Sequence, residues 1–236
     1  MIQENFIKIY EKSFKKNWEL PALTDYSKGT TFSFADVAKE IARIHILFEE
    51  CQIRRGDKIA LIGKDSARWC IVYMAAVTYG AIIVPILQDF SPNDVHHIIN
   101  HSESVFLFVS DRIWDTLEEE MIEDVRGVFS LSDFRCLHQR DGESIQKLLK
   151  GMDEKMAEKY PDGFGKDDIE YAELDNDKVV LLNYTSGTTS YSKGVMIPYR
   201  ALWSNTQFAF DVLKMNPGDK LVSMLPMAHM YGLAFE

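Results

Sequence analysis

Val179-Val180-Leu181-Leu182-Asn183-Tyr184-Thr185-Ser186-Gly187-Thr188-Thr189-Ser190-Tyr191-Ser192-Lys193-Gly194 joins two chemistries without a break. Residues 179–184 make an apolar run of strand length, read as a buried strand. From Thr185 onward the residues are mostly small, hydroxylated or glycine, with one lysine, Lys193. Small residues let a backbone approach an anion, successive amides converge on it as a nest, hydroxyls add donors and a lysine adds compact positive charge. Hung from a sheet edge, such a segment fits a phosphate cradle. It also fits an ordinary surface loop, but the Lys193-Gly194 pair and the apolar Val195-Met196-Ile197 after it favour the cradle. The Walker A pattern Gly-x4-Gly-Lys-Ser/Thr is not met, because Gly187 is followed at that spacing by Ser192, Lys193 and Gly194.

Outward from this stretch, strand-like runs at 58–63, 81–86, 105–110, 179–184 and 220–225 alternate with helical patterns near 2–15, 34–51, 66–79, 92–100, 114–124, 144–159 and 199–213. That alternation predicts an α/β fold with parallel-type sheets flanked by helices. The uncharged run 69–87 is long enough to raise a membrane span, but Gly80 and Pro85 interrupt it. It reads instead as an apolar helix to Tyr79, a glycine stop and a buried strand. A polar segment with Asp141-Gly142 and Pro161-Asp162-Gly163 divides the chain, giving a first α/β half at 1–133, an excursion at 134–178 and the loop-bearing part at 179–236.

The chain of 236 residues is 46% apolar and 26% charged, which fits a soluble enzyme with a sizeable core. Its formal charge of −10 disfavours nucleic acid as a partner, since a phosphate backbone needs a basic face. Acidic clusters at 115–124 and 153–177 read as solvated faces. Three widely spaced cysteines (Cys51, Cys70, Cys136), with no Cys-x-x-Cys pair and no secretory signal at the start, predict reduced thiols in a cytoplasmic protein. His97 and His101 lie four apart on a predicted helix, a spacing that zinc can use, but nothing in the sequence nearby completes a ligand set and an exposed or capping role is the expectation. His229 follows the predicted strand end at Pro226, where α/β folds place ligand-contacting loops.

Thr185 to Gly194 resembles the phosphate-binding motif of the adenylate-forming (AMP-binding) superfamily, Thr-Ser-Gly-Thr/Ser-Thr-Gly-x-Pro-Lys-Gly. Leu225-Pro226-Met227-Ala228-His229-Met230-Tyr231-Gly232-Leu233-Ala234-Phe235-Glu236 is similar to the next motif of long-chain acyl-CoA synthetases. Weaker likeness runs through Thr31 to Ala38 and Tyr79 to Ile86, so nearly the whole chain is covered. Ser190 stands where the family usually has Gly and Ser192 where it usually has Pro, which leaves the hydroxyls and the lysine in place.

The resemblance implies a ligase that joins a long-chain fatty acid to coenzyme A through an acyl-adenylate formed from ATP with Mg2+. An enzyme activating an aryl or amino acid and a non-catalytic nucleotide-binding module are the alternatives. By motif position, Thr185, Ser186, Gly187, Thr188 and Thr189 would wrap the β- and γ-phosphates and Lys193 would neutralise them. Thr185 would also contact magnesium, and His229 would sit near the acyl or α-phosphate end as the catalytic candidate. Small-molecule substrates are the expected partners, with no transmembrane segment and room for peripheral membrane contact. The apolar pattern at Leu233-Ala234-Phe235-Glu236 lacks a stop signal, and the family's C-terminal lid domain is not in this sequence. The expectation is therefore an N-terminal portion of a longer enzyme, inactive alone and prone to self-association near 220–236.

Overall fold

Side-chain alternation along the strands decides which helix covers which face. The computed structural model describes residues 5–26, 28–140, 142–171, 173–185, 192–216 and 218–235. Helix α1 (Phe6–Lys16) leads to a two-stranded antiparallel hairpin of β1 (Pro21–Asp25) and β2 (Thr30–Ser33), followed by α2 (Phe34–Glu50). Ser33 starts α2 by a reciprocal cap: the Asp36 amide donates to the Ser33 hydroxyl, and the Asp36 carboxylate accepts from the Ser33 amide. Those hydrogen bonds hold the Asp36 carboxyl below the usual carboxylate range.

The main sheet is built from β3 (Lys58–Ile62), β4 (Ile82–Ile86), β5 (Ser104–Val109), β6 (Gly127–Ser130), β7 (Cys136–Gln139), β8 (Val179–Thr185) and β9 (Lys193–Pro198). Its order is β7-β6-β5-β3-β4-β8-β9, parallel through the centre and antiparallel at each edge pair. On one face Ile59, Leu61, Ile83, Phe106, Phe108 and Phe129 pack with α2 and with α3 (Ala67–Tyr79). On the other, Ala60, Ile62, Val84, Leu107 and Val109 pack with α4 (Pro92–His101). Both faces are dry, so the central strands read as unbroken apolar runs. The apolar stretch at 69–87 resolves as expected: α3 ends at Gly80 in the left-handed region, φ 91, and β4 follows.

Several elements differ from expectation. The helix expected at 114–124 is the short α5 (Asp111–Trp114) and a single 3-10 turn at Glu119–Met121. Glu118, Glu119 and Glu120 are consecutive acids, and an apolar stripe that would fasten a longer helix is missing. The helix expected at 144–159 is two, α6 (Ser144–Lys150) and α7 (Met152–Lys159), broken at Gly151. No strand forms at 220–225, where Leu221, Val222, Met224 and Leu225 are all exposed and so lack the alternating burial of a sheet strand. Segment 134–178 is drawn onto the core: Met152, Met156, Ile169 and Tyr171 are buried with α2, and Arg43 pairs with Asp153 at 2.6 Å. Helices α8 (Tyr199–Val212) and α9 (Met230–Phe235) complete the chain.

The three cysteines are free thiols, and burial pushes Cys51 up to about 11 and Cys70 up to about 12, so neither is a ready nucleophile. Among the described residues, no helix is long and apolar enough to cross a membrane.

Candidate functional site

β8 carries the site because its two faces are anchored independently. Val180 and Leu181 join the α3-side core, while Tyr184 packs into the α4-side core. The strand pairs with β4 at Ile83↔Leu181 and runs antiparallel to β9 as far as Thr185↔Lys193. Thr185 and Lys193 therefore stand opposite each other, both exposed, at the carboxyl end of β8. That is the end at which open parallel sheets bind ligands. Ser186, Gly187, Thr188 and Thr189 lie outside the described residues, as does Ser190.

Tyr184 fixes this strand end. Its hydroxyl is 2.7 Å from Nδ1 of His101, and its buried phenol is pushed above its ordinary pKa. The ring lies across Gly194, where an added Cβ would be 3.0 Å from Cζ of Tyr184. The glycine after Lys193 thus has a packing reason of its own: a Cβ there would press on the tyrosine ring, which would have to shift by a few tenths of an ångström. His101, read from sequence as exposed or capping, is exposed and held by Tyr184, its ring 5.5 Å from that of His97. Among the described residues, no group of three or more His, Cys, Asp or Glu side chains is arranged for a metal.

The segment bearing His229 is tied to the same strand. Asn183, buried in an otherwise apolar run, donates through Nδ2 to the Ala228 carbonyl at 3.1 Å. The Met227 amide donates to Asp65 at 3.1 Å, and the Cys70 thiol lies 3.6 Å from the Met227 sulfur. The His229 amide then closes a turn onto Pro226 at 2.9 Å, and α9 begins at the next residue, with the Leu233 amide bonded to the His229 carbonyl at 3.0 Å. His229 is exposed and one residue from Ala228, while Thr185 is two residues beyond Asn183. One buried hydrogen bond therefore brings the two expected site segments to the same end of β8. Asn183, Tyr184 and Asp65 escape a sequence reading focused on the loop; the only signal was an amide inside a buried strand.

A hydroxyl and a primary amine flanking a hairpin suit an anion with multiple oxygens. For magnesium, Thr185 offers a single oxygen, which fits an ion held mainly by substrate phosphates and water and does not fit an all-protein cage.

A doubly covered, mostly parallel sheet with an antiparallel edge pair that sets Thr185 opposite Lys193 defines an α/β protein with an open carboxyl sheet end. The chain belongs to the AMP-binding enzyme family, whose model matches residues 10–236. It is 24% identical to probable acyl-activating enzyme 16 of Arabidopsis thaliana, covering 97% of this chain and 33% of that protein. It is 26% identical to the Arabidopsis long-chain-fatty-acid–[acyl-carrier-protein] ligase AEE15, with the same coverage of 97% and 33%. Against 4-coumarate–CoA ligase 1 of rice (Oryza sativa subsp. japonica) it is 27% identical, over 90% of this chain and 37% of that one. In fold it matches the N-terminal domain of FACL13 from Mycobacterium tuberculosis with a TM-score of 0.76 at 20% identity, covering 98% of this chain and 54% of that one. ATP-bound MatB from Rhodopseudomonas palustris gives 0.72 at 20%, covering 98% and 42%. The chain thus spans about a third of the length of these curated relatives.

Proposed function

We propose that the protein containing this chain is an acid–thiol ligase that activates a long-chain fatty acid. A carboxylate oxygen of the acid attacks the α-phosphorus of ATP and pyrophosphate leaves, giving an acyl-adenylate. The sulfur of coenzyme A then attacks the acyl carbon, its proton is lost and AMP departs. Both reactants of the first step are anions, so alignment and positive charge carry the catalysis. In this reading Thr185, Ser186, Gly187, Thr188 and Thr189 wrap the β- and γ-phosphates and Lys193 neutralises them. Mg2+ supplies further charge when bound, with the Thr185 hydroxyl as its protein contact, and His229 lies toward the acyl and α-phosphate end.

The observation that carries this reading is the family match over residues 10–236 together with the cross-strand pair Thr185↔Lys193 at the carboxyl end of β8. The fatty-acid preference is supported by the likeness of Leu225 to Glu236 to the acyl-CoA synthetase motif and by the similarity to a long-chain-fatty-acid ligase. An aryl acid is the second reading, supported by comparable identity to a 4-coumarate ligase. ATP–pyrophosphate exchange by the protein expressed from its complete reading frame tests both. Exchange stimulated by palmitate and not by 4-coumarate is expected. Stimulation by 4-coumarate alone would replace the substrate, and no exchange with any acid would remove the activity.

A further inference from the structure

On the α2-side face of the sheet lies a cavity of about 570 Å3, lined by neither Thr185 nor Lys193, that the adenylation reading does not use. That volume lies within the range of small-molecule pockets. Its apolar walls come from Ile44 and Leu47 of α2, Phe108 of β5, Leu149 of α6 and Met152 of α7. Positive charge comes from Lys150 of α6, which is exposed, and from the half-buried Arg68 in the first turn of α3. Its guanidinium carbon is 6.0 Å from the Phe32 ring centroid and 5.8 Å from that of Phe134, so the cation is held between two aromatic rings. Phe134 is itself constrained: its φ is 62, a conformation that bulky residues rarely adopt, and its ring meets Phe108 edge-on at 6.2 Å.

The other arginines of the cavity are neutralised, Arg43 by Asp153 at 2.6 Å and Arg135 by Asp133 and Asp111 at 2.9 and 3.1 Å. Among the described residues Arg68 has no carboxylate partner; the rings are its contacts. A half-buried guanidinium with its hydrogen-bonding edges unclaimed, at the rim of an apolar cavity, is a receptor for an anion that brings an apolar body. Glu40 also lines the cavity and would repel a second negative charge. We propose that this cavity binds a monocarboxylate with an apolar chain or ring, its carboxylate on Arg68 and its body against Leu47, Phe108 and Leu149. The inference is independent of the adenylation reading, because Thr185, Lys193 and His229 are not among the residues that line this cavity.

Calorimetric titration of the 236-residue chain with octanoate tests it, with octan-1-ol and octyl phosphate in parallel. Octanoate is expected to bind at one site and more tightly than either analogue. Arg68→Leu should weaken it about tenfold or more, the size of a lost charge-assisted hydrogen bond, and Arg68→Lys should be intermediate. Leu149→Trp, which fills the cavity and leaves Arg68 in place, should abolish binding, and so tests the site even if Arg68→Leu fails to fold. A diazirine-bearing octanoate should label residues 134–136 and 146–152. Affinity within about twofold of wild type in both variants would overturn the proposal, as would labelling confined to the β8–β9 end or tighter binding of octyl phosphate. Exchange activity in the complete protein should survive Arg68→Leu, so loss of the ligase reading and loss of this one are separately visible.

Discussion

Replacing Asn183 by Leu should loosen the segment that carries His229 without emptying the core. The side chain is 8% exposed, and its amide donates to the carbonyl of Ala228, a residue itself only 6% exposed. Leu keeps the heavy-atom branching of Asn, so no cavity opens, and the main loss is the orphaned carbonyl, about 1–3 kcal/mol. For a unit of this size each kcal/mol lowers Tm by about 2–4 °C, so thermal unfolding should shift down by about 2–12 °C. The local reading is sharper. The His229 and Leu233 amides are bonded to the Pro226 and His229 carbonyls, inside the segment that Asn183 tethers. Hydrogen exchange there should quicken by about fivefold to a hundredfold, the same free energy expressed as a rate ratio. An unchanged Tm together with unchanged exchange would refute the tether. A lowered Tm with uniform exchange would show that Asn183 serves β8 packing alone. Asn183→Asp checks the sign: a buried carboxylate facing a carbonyl has its pKa raised above about 3.9. That variant should match wild type below the unfolded-state value and lose stability as pH rises through the folded-state value.

Lys193→Ala in the complete protein should lower adenylation by about two to three orders of magnitude, the size of a lost transition-state charge partner; pyrophosphate exchange measures it, and equal loss in Lys214→Ala would remove Lys193's special role. Gly194→Ala should destabilise by about 1–3 kcal/mol through overlap with the Tyr184 ring, and the double variant with Tyr184→Leu should recover most of it in a denaturation cycle; additive losses would place the strain elsewhere. His45 is held by the Ala75 carbonyl at 3.0 Å, and burial lowers its pKa from 6.5 to about 4. The unfolded chain therefore binds the extra proton, so stability should fall as pH drops from 6.5 toward 4. His45→Gln should flatten unfolding free energy against pH in that window, and an unchanged slope would assign the dependence to other groups.

The parallel strands β3, β4, β5 and β8 were legible because burial on both faces leaves unbroken apolar runs, with Gly80 marking the helix-to-strand switch within one of them, whereas the parallel and buried β6, only four residues long with Gly127 and Ser130 at its ends, was not. The edges were not. β7 is only partly buried, with Cys136, Leu137, His138 and Gln139 all intermediate, so no alternation survives to announce it. β9 shows the reverse problem: Val195 and Met196 are exposed and only Ile197 is buried, so apolar content and burial part company. The run at 220–225 looked like a strand for the same reason, since apolar composition is necessary for a buried strand but does not supply a neighbour to pair with.

At the site, the sequence pointed to Thr185, Lys193 and His229 through the chemistry of their types, and the fold adds what brings their segments together. A hydroxyl or a lysine announces itself in a polar loop, whereas a positioning residue announces itself only by being out of place. Asn183 is such a residue: among Val180, Leu181 and Tyr184 an amide is a liability unless something buried needs its proton, and the Ala228 carbonyl supplies that need. Tyr184 carries the same logic one step further, since its hydroxyl is claimed by His101 and its ring by Gly194. A glycine that looked like part of an anion cradle is thereby also a close packing partner of a neighbouring ring. Substitution at Gly194 consequently cannot distinguish phosphate binding from packing, whereas Lys193, exposed beside it, can.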